Sequence, residues 1–167
     1  MTIKITASII MKVKENESFD HRPYLGDKGL RFWDPSALLI GSAVKKALDE
    51  SKIFERYKQE EICFALGMDK AEHMQMEFTK SVLMDPVFGP NPGMIPNMSP
   101  NAIAGQIAMK FGFKGENITI SNGSINLEDT YEYAKKKIER GLEKVFVVAG
   151  CQINFNQAFV RVLEFFD

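Results

Sequence analysis

The 167-residue chain is poor in the residue types that build metal and redox sites. It contains two cysteines and two histidines, and Cys63 and Cys151 lack the spacing of metal ligands. Both cysteines lie in or at the end of apolar, strand-like runs, where an unpaired cysteine behaves as a small buried hydrophobic residue. We therefore predict two thiols in or near the core, no metal site and no bound cofactor.

The chain also lacks an excess of charge of either sign and any long apolar run. Its 21 basic and 22 acidic side chains give a net charge of −1, so it has no electrostatic footprint for nucleic acid or an anionic membrane. No apolar run approaches the roughly 20 residues that a membrane helix needs. The first residues do not show the basic, apolar and small-residue order of a signal peptide. We expect a cytoplasmic protein with neither a nucleic-acid nor a membrane partner.

The composition that remains is typical of one folded domain. Hydrophobic residues make up 45% of the chain and charged residues 26%, which suits a domain with a sizeable core. No internal repeat and no linker interrupts the sequence. We therefore predict a single domain over residues 1–167.

Strand-like and helix-like segments alternate along the chain. Apolar runs and β-branched alternation predict five strands, at residues 3–13, 61–68, 117–121, 145–149 and 156–166. Helical spacing predicts helices at residues 35–52, 70–84, 101–111 and 126–140, the first capped by Asp34 and started by Pro35. This alternation predicts an α/β sheet. The short connection before the last strand predicts a hairpin, and hence an antiparallel neighbour.

A proline-rich segment lies between residues 85 and 100. Its five prolines and two glycines exclude a regular helix or a central strand. The interleaved Val87, Phe88, Met94, Ile95 and Met98 favour a packed, ordered loop over an exposed polyproline ligand. The methionines of the preceding helix could form an adaptable binding surface, but we expect them to fill irregular space in the core.

Three segments, taken in order, carry a family resemblance. IPNMSPNAIAGQIA at residues 95–108 is followed by GENITISNGS at 115–124 and by KVFVVAG at 144–150. In this order they resemble the N-terminal half of the β-ketoacyl-acyl-carrier-protein synthases, which have the thiolase fold. The resemblance implies one thiolase-like half, with a mixed five-stranded sheet ordered 3-2-1-4-5, an antiparallel fifth strand and flanking helices. AFVRVLE at 158–164 is similar to the family's fifth strand.

The resemblance also implies where catalysis would take place. The family's nucleophilic cysteine starts the helix after strand three, where backbone N–H groups and the helix dipole stabilise a thiolate, and Gly123 occupies that position. The two histidines that the family requires lie in the second half, which this sequence does not include. We therefore expect neither an acyl-enzyme nor a condensation. Chain-length factors of polyketide systems also lack the cysteine, which favours a non-catalytic partner of a synthase or an acyl carrier protein in fatty-acid or polyketide biosynthesis.

Ser124 supports the alternative, an acyl-thioester hydrolase or acyltransferase. A serine at a helix start can act as a nucleophile if a base lies within hydrogen-bond reach. The available bases, His21 and His73, have no recognisable spacing to it. The simpler interpretation is that Ser124 caps the helix, with Asn126 as the competing cap. A third interpretation is that the chain is a degenerate fragment with no selected role. The intact pattern of strands weakens this interpretation.

Strand three is the family's dimer edge. Its residues are Asn117, Ile118, Thr119, Ile120 and Ser121. The strand contains no proline or lysine that would protect an open edge. We expect a homodimer, or a heterodimer with a ketosynthase, through this strand, unless the proline-rich segment covers it.

The following helix has one apolar stripe, formed by Leu127, Tyr131, Ala134 and Ile138. The rest of its surface is charged. We predict that the stripe packs on the sheet and that the far side meets water or a polar partner.

Overall fold

The computed structural model describes residues 2–14, 17–69, 73–89, 92–121, 127–152 and 157–166. The strands are β1 (Thr2–Lys12), β2 (Ile62–Met68), β3 (Asn117–Ser121), β4 (Val145–Gln152) and β5 (Gln157–Phe166). The helices are α1 (Arg22–Leu25), α2 (Pro35–Ser51), α3 (His73–Met84), α4 (Ala102–Phe111) and α5 (Leu127–Glu139). Short 3₁₀ turns lie at Ile53–Glu55, Gln59–Glu61 and Pro92–Asn97. The predicted α/β class, a mixed five-stranded sheet flanked by helices, is confirmed.

The strand order differs from the predicted order. The sheet runs β1-β5-β4-β2-β3, which is 3-2-4-5-1 from the other edge, whereas the prediction was 3-2-1-4-5. The fifth strand is antiparallel, as predicted: β5 pairs antiparallel with both β4 and β1, while β2 is parallel to β3 and β4.

Burial explains why β1 lies at an edge and not in the centre. Every residue of β2 is buried, as is the apolar run of β4, which is typical of strands covered on both faces. In β1 only Ala7 and Ile9 are buried. The hairpin between β4 and β5 then leaves the outer side of β5 as the place where β1 pairs.

The larger core lies between the sheet and helices α2 and α4. Ile40 and Val44 of α2 and Ile107 of α4 are fully buried there. Helix α2 begins as predicted, because the Asp34 carboxylate accepts a hydrogen bond from the Ala37 N–H (2.9 Å). Within the described residues, no helix is long and apolar enough to cross a membrane.

Helix α5 covers the opposite face of the sheet. Ala134 and Ile138 are fully buried against it, and Leu127 and Tyr131 pack beside them. The predicted apolar stripe is therefore confirmed. The outward positions carry charged side chains such as Lys136 and Glu139, which are exposed.

The prediction that the proline-rich segment and the methionines of α3 pack inward is wrong for several residues. Val87 and Phe88 are 75% and 87% exposed, and Met76 and Met84 are 51% and 87% exposed. For Val87 and Phe88 the cause is a tight turn after α3, in which the Asp85 carboxylate accepts hydrogen bonds from the N–H groups of Val87 (3.1 Å) and Phe88 (3.0 Å). This turn leaves both apolar side chains outside the core.

Candidate functional site

The parallel strands β2, β3 and β4 all end at one edge of the sheet. Their last residues are Met68, Ser121 and Gln152. After β2 the chain continues to β3 on one side, and after β4 it continues to β5 on the other side. The connections that leave β2 and β4 therefore diverge between these two neighbouring strands. In open α/β sheets, ligands bind at such a carboxyl edge beside the point of divergence. This edge is therefore the candidate site.

Gly150 lets the backbone pack closely at the candidate site. Gly67 of β2 lies opposite Gly150 of β4 in the parallel register. A Cβ atom at Gly150 would lie 3.2 Å from Cδ1 and 3.3 Å from Cβ of Leu127, which is closer than ordinary van der Waals contact. The missing side chain lets the first turn of α5 approach the end of β4.

Replacing Gly150 with alanine will lower the free energy of unfolding by about 1–3 kcal/mol, because the added methyl overpacks the contact with Leu127. Urea denaturation would measure the loss. The matched control is Gly105→Ala in α4, where an added Cβ meets nothing within 4 Å and where alanine favours the helix by about 1 kcal/mol. Equal effects at the two positions would contradict the close contact.

Both cysteines are buried inside strands, as predicted. Cys151, near the end of β4, is 1% exposed, and burial, with smaller contributions from the negative charges of Asp34 and Asp69, raises its pKa to about 12. Cys63 in β2 is fully buried. Burial and a hydrogen bond with Glu143 raise its pKa to about 12. Thiols with these pKa values stay protonated at neutral pH, and a protonated thiol is a poor nucleophile.

The predicted nucleophile position, Gly123, and the alternative nucleophile, Ser124, lie outside the described residues, as does Asn126. Of the two histidines, His21 precedes α1 and is partly exposed, and His73 is the first residue of α3. No group of three or more His, Cys, Asp or Glu side chains in the described part of the chain is placed to hold a metal ion.

Strand β3 lies at one edge of the sheet and pairs with β2 alone within the described strands. The Phe64 N–H donates to the Glu116 carbonyl (2.8 Å). Because hydrogen bonds alternate along a parallel ladder, the Thr119 N–H points away from β2, toward the open side. The Thr119 hydroxyl donates to the Asn101 side-chain oxygen (2.7 Å). The backbone of β3 is thus oriented so that another strand can pair with it.

Sequence reasoning missed the polar network beside β3. The Tyr133 hydroxyl (2.5 Å) and the Lys137 ammonium (3.2 Å) donate to the Glu116 carboxylate. Burial opposes ionisation of Glu116, but these two donors outweigh it and lower its pKa. They also anchor α5 to the start of β3. Tyr133 and Lys137 share a helix face, but no local pattern marks Glu116 as their partner.

A comparison of the sequence with known protein families gives a match that agrees with this fold. Residues 3–164 match the profile of the β-ketoacyl synthase N-terminal domain. The chain therefore belongs to this family. A comparison with curated protein sequences found no match.

Several solved structures share the fold. The ishigamide ketosynthase/chain length factor matches with a TM-score of 0.68 and 18% identity, covering 88% of this chain and 48% of its own. The AntDE:AntF complex, a type II polyketide ketosynthase with its acyl-carrier protein, matches with a TM-score of 0.66 and 17% identity, covering 89% and 52%. A β-ketoacyl synthase from Burkholderia phymatum STM815 matches with a TM-score of 0.71 and 12% identity, covering 89% and 46%. The chain thus spans about half the length of each of these proteins.

Proposed function

We propose that this chain is a non-catalytic, ketosynthase-like subunit that partners a ketosynthase or an acyl carrier protein in fatty-acid or polyketide biosynthesis, in the cytoplasm. The observation that carries the proposal is the position of its cysteines. The chain has two. Both are buried within strands of the sheet, with their pKa values raised to about 12. Neither follows β3, where the family's nucleophile would start a helix.

The proposed partners are suggested by proteins that share the fold. The ishigamide protein is a ketosynthase paired with a chain length factor, and the AntDE:AntF complex contains an acyl-carrier protein. In this chain, the open side of β3 (Asn117–Ser121) is the contact that we propose for a ketosynthase or for a second copy. The outward Thr119 N–H supports it, because an unpaired edge strand readily pairs with another.

Intact-mass measurement after incubation with an acyl-carrier-protein thioester tests the lack of catalysis. We expect no acyl adduct on this chain, while a ketosynthase that retains its cysteine, treated in parallel, gains one acyl group. Light scattering after co-expression then tests for the partner. A complex with a ketosynthase or a carrier protein is the expected result.

The acyltransferase alternative gives a different result in the same experiment. An acyl adduct that disappears in a Ser124→Ala variant would overturn the proposal and identify the serine as the nucleophile. An adduct on Cys151 would overturn it by another route, since it would show that the buried thiol becomes available. Absence of any complex with all carrier proteins and synthases encoded nearby would also count against the proposal.

A further inference from the structure

The two faces of the sheet are covered unequally by helices. On one face, α2 packs on β1 and β5, and α4 packs on β2 and β3. On the other face, α5 packs mainly on β4 and β2, and the described residues place no second helix beside it. Strands β1 and β5 therefore lack, on the α5 face, the helix that covers them on the opposite face.

The side chains of this uncovered area follow from the pairing of β1 with β5. Directly opposite residues of an antiparallel pair lie on the same face of a sheet. Ala7 and Ile9 belong to the core beneath α2, whereas Leu163 packs with the residues beneath α5. The β1–β5 strip on the α5 face thus consists of five cross-strand pairs: Ile3 with Phe165, Ile5 with Leu163, Ser8 with Arg161, Ile10 with Phe159, and Lys12 with Gln157.

The β1–β5 strip leaves apolar side chains in contact with water. Ile5 is 47% exposed and Ile10 is 59% exposed, and Phe159 and Phe165 are each partly exposed. On the opposite face of the same strand, Ile9 is only 5% exposed. A contiguous group of exposed apolar side chains with polar neighbours marks an interaction site.

Arg161 lies in the middle of the strip and is partly buried. Its guanidinium carbon is 5.5 Å from the centre of the Tyr131 ring of α5. Arg22 and Arg56 each pair with a carboxylate, but no carboxylate in the described part of the chain forms an ion pair with Arg161. A guanidinium presents a planar fork of donors that matches a carboxylate. Since the five pairs include no acidic residue, the strip is complementary to an apolar partner that carries a carboxylate.

The dimensions of the strip match those of a helix. From Ile3 to Lys12 it is roughly 30 Å long, and its two strands make it about 10 Å wide. An α-helix with its side chains is also about 10 Å wide. Helix α5 forms a wall along the β4 side of the strip, so a rod that lies beside α5 fits this surface better than a flat lipid surface does.

We propose that the β1–β5 strip binds an amphipathic helix of a partner protein. The apolar stripe of that helix lies on Ile5, Ile10 and Phe159, and an aspartate or glutamate next to the stripe pairs with Arg161. The inference goes beyond the proposed function, because the contact proposed there uses β3, at the other edge of the sheet. A strip of this size is typical of a weak, reversible contact.

Two fluorescent synthetic helices test the proposal by fluorescence anisotropy on the full chain. Each is about 20 residues long, to match the strip, with leucines at helical spacing on one face. The two differ only in a central residue beside the leucines, glutamate or glutamine. We expect the glutamate peptide to bind at least tenfold more tightly, because only it offers Arg161 a carboxylate.

Three variants of the chain locate the contact. Arg161→Gln should remove the preference for the glutamate peptide, and Ile10→Ser should weaken the binding of both peptides. Met109→Ser is the matched control and should change neither, since Met109 is 79% exposed on α4, which covers the opposite face of the sheet. Thermal unfolding of each variant would verify that it is folded.

Failure of either peptide to bind, or equal binding of both, would overturn the inference. Vesicles of phosphatidylserine and phosphatidylcholine test another occupant: vesicle binding that Arg161→Gln abolishes, without peptide binding, would assign the strip to an anionic lipid surface instead. Self-association that Ile10→Ser abolishes would assign it to a second copy of the chain. The peptides contain neither a ketosynthase nor a carrier protein, so the proposed function is judged separately, by the intact-mass and co-expression experiments.

Discussion

Replacing Arg56 with methionine will lower the free energy of unfolding by about 3–5 kcal/mol, because the substitution leaves a buried carboxylate without its cation. Glu164 of β5 is fully buried. The Arg56 guanidinium donates to it through Nε (2.9 Å) and through a terminal nitrogen (2.6 Å), and the Thr6 hydroxyl is a third donor. Equilibrium unfolding in urea would measure the effect.

The control for this prediction is an ion pair exposed to water. Lys80 and Glu77 are 2.7 Å apart, with side chains 61% and 42% exposed, and Lys80→Met should cost less than about 1 kcal/mol. If Arg56→Met lowered the free energy of unfolding by no more than Lys80→Met does, water would have to reach Glu164. The interaction matters for the architecture because a bulge between Ile5 and Ala7 interrupts the β1–β5 register where Thr6 contacts Glu164. The pair thus ties residues 51–56 to β5 and β1.

Alkylation of the native protein by iodoacetamide at pH 8 will be about a thousandfold slower than alkylation of an exposed thiol. Burial raises the pKa of Cys63 and of Cys151 from 9.0 to about 12. At pH 8 a pKa of about 12 leaves roughly one thiolate in ten thousand, against roughly one in ten at the ordinary value, and only the thiolate reacts. Limited access to the two buried sulfur atoms would slow the reaction further.

Labelling followed by mass spectrometry would measure these rates residue by residue. The same protein unfolded in guanidinium is the control, and both cysteines should then react at the rate of a free thiol. Rapid labelling of either cysteine in the folded protein would contradict the assigned burial. It would also weaken the proposal that the chain is non-catalytic, because an accessible thiolate is the reagent that an acyl-enzyme requires.

The elements themselves could be read from the sequence because the signals that define them are local. The alternation of apolar and polar residues at the start of β1, the unbroken apolar run of β2 and the cap at Asp34 each lie within a short window. Each appears in the structure within a few residues of the predicted bounds. The stripe of α5 was predictable for the same reason, since a helix brings residues three and four apart onto one face.

The order of the strands could not be derived in this way. The alternation of β1 predicted a strand, but the choice of β5 as its neighbour depends on pairing between residues such as Thr2 and Phe166. The buried ion pair between Arg56 and Glu164 joins residues that are 108 positions apart. No pattern within either segment identifies the other.

The apolar residues after α3 show the same limit at the surface of the protein. Val87 and Phe88 are apolar, and composition alone favours packing, yet the turn at Asp85 directs them outward. Whether an apolar side chain lies in the core or at an interface depends on what surrounds it in three dimensions.

The sequence by itself therefore determined the class of the fold, the five strands, the family resemblance and the absence of any cysteine from the segment after β3. These follow from local periodicity and from residue identity, which need no knowledge of distant contacts. Only the tertiary structure decided the sheet order, the buried ion pair between Arg56 and Glu164, and the exposure of the apolar side chains after α3. These properties arise from contacts between segments far apart in the chain, where packing and desolvation act on the assembled core.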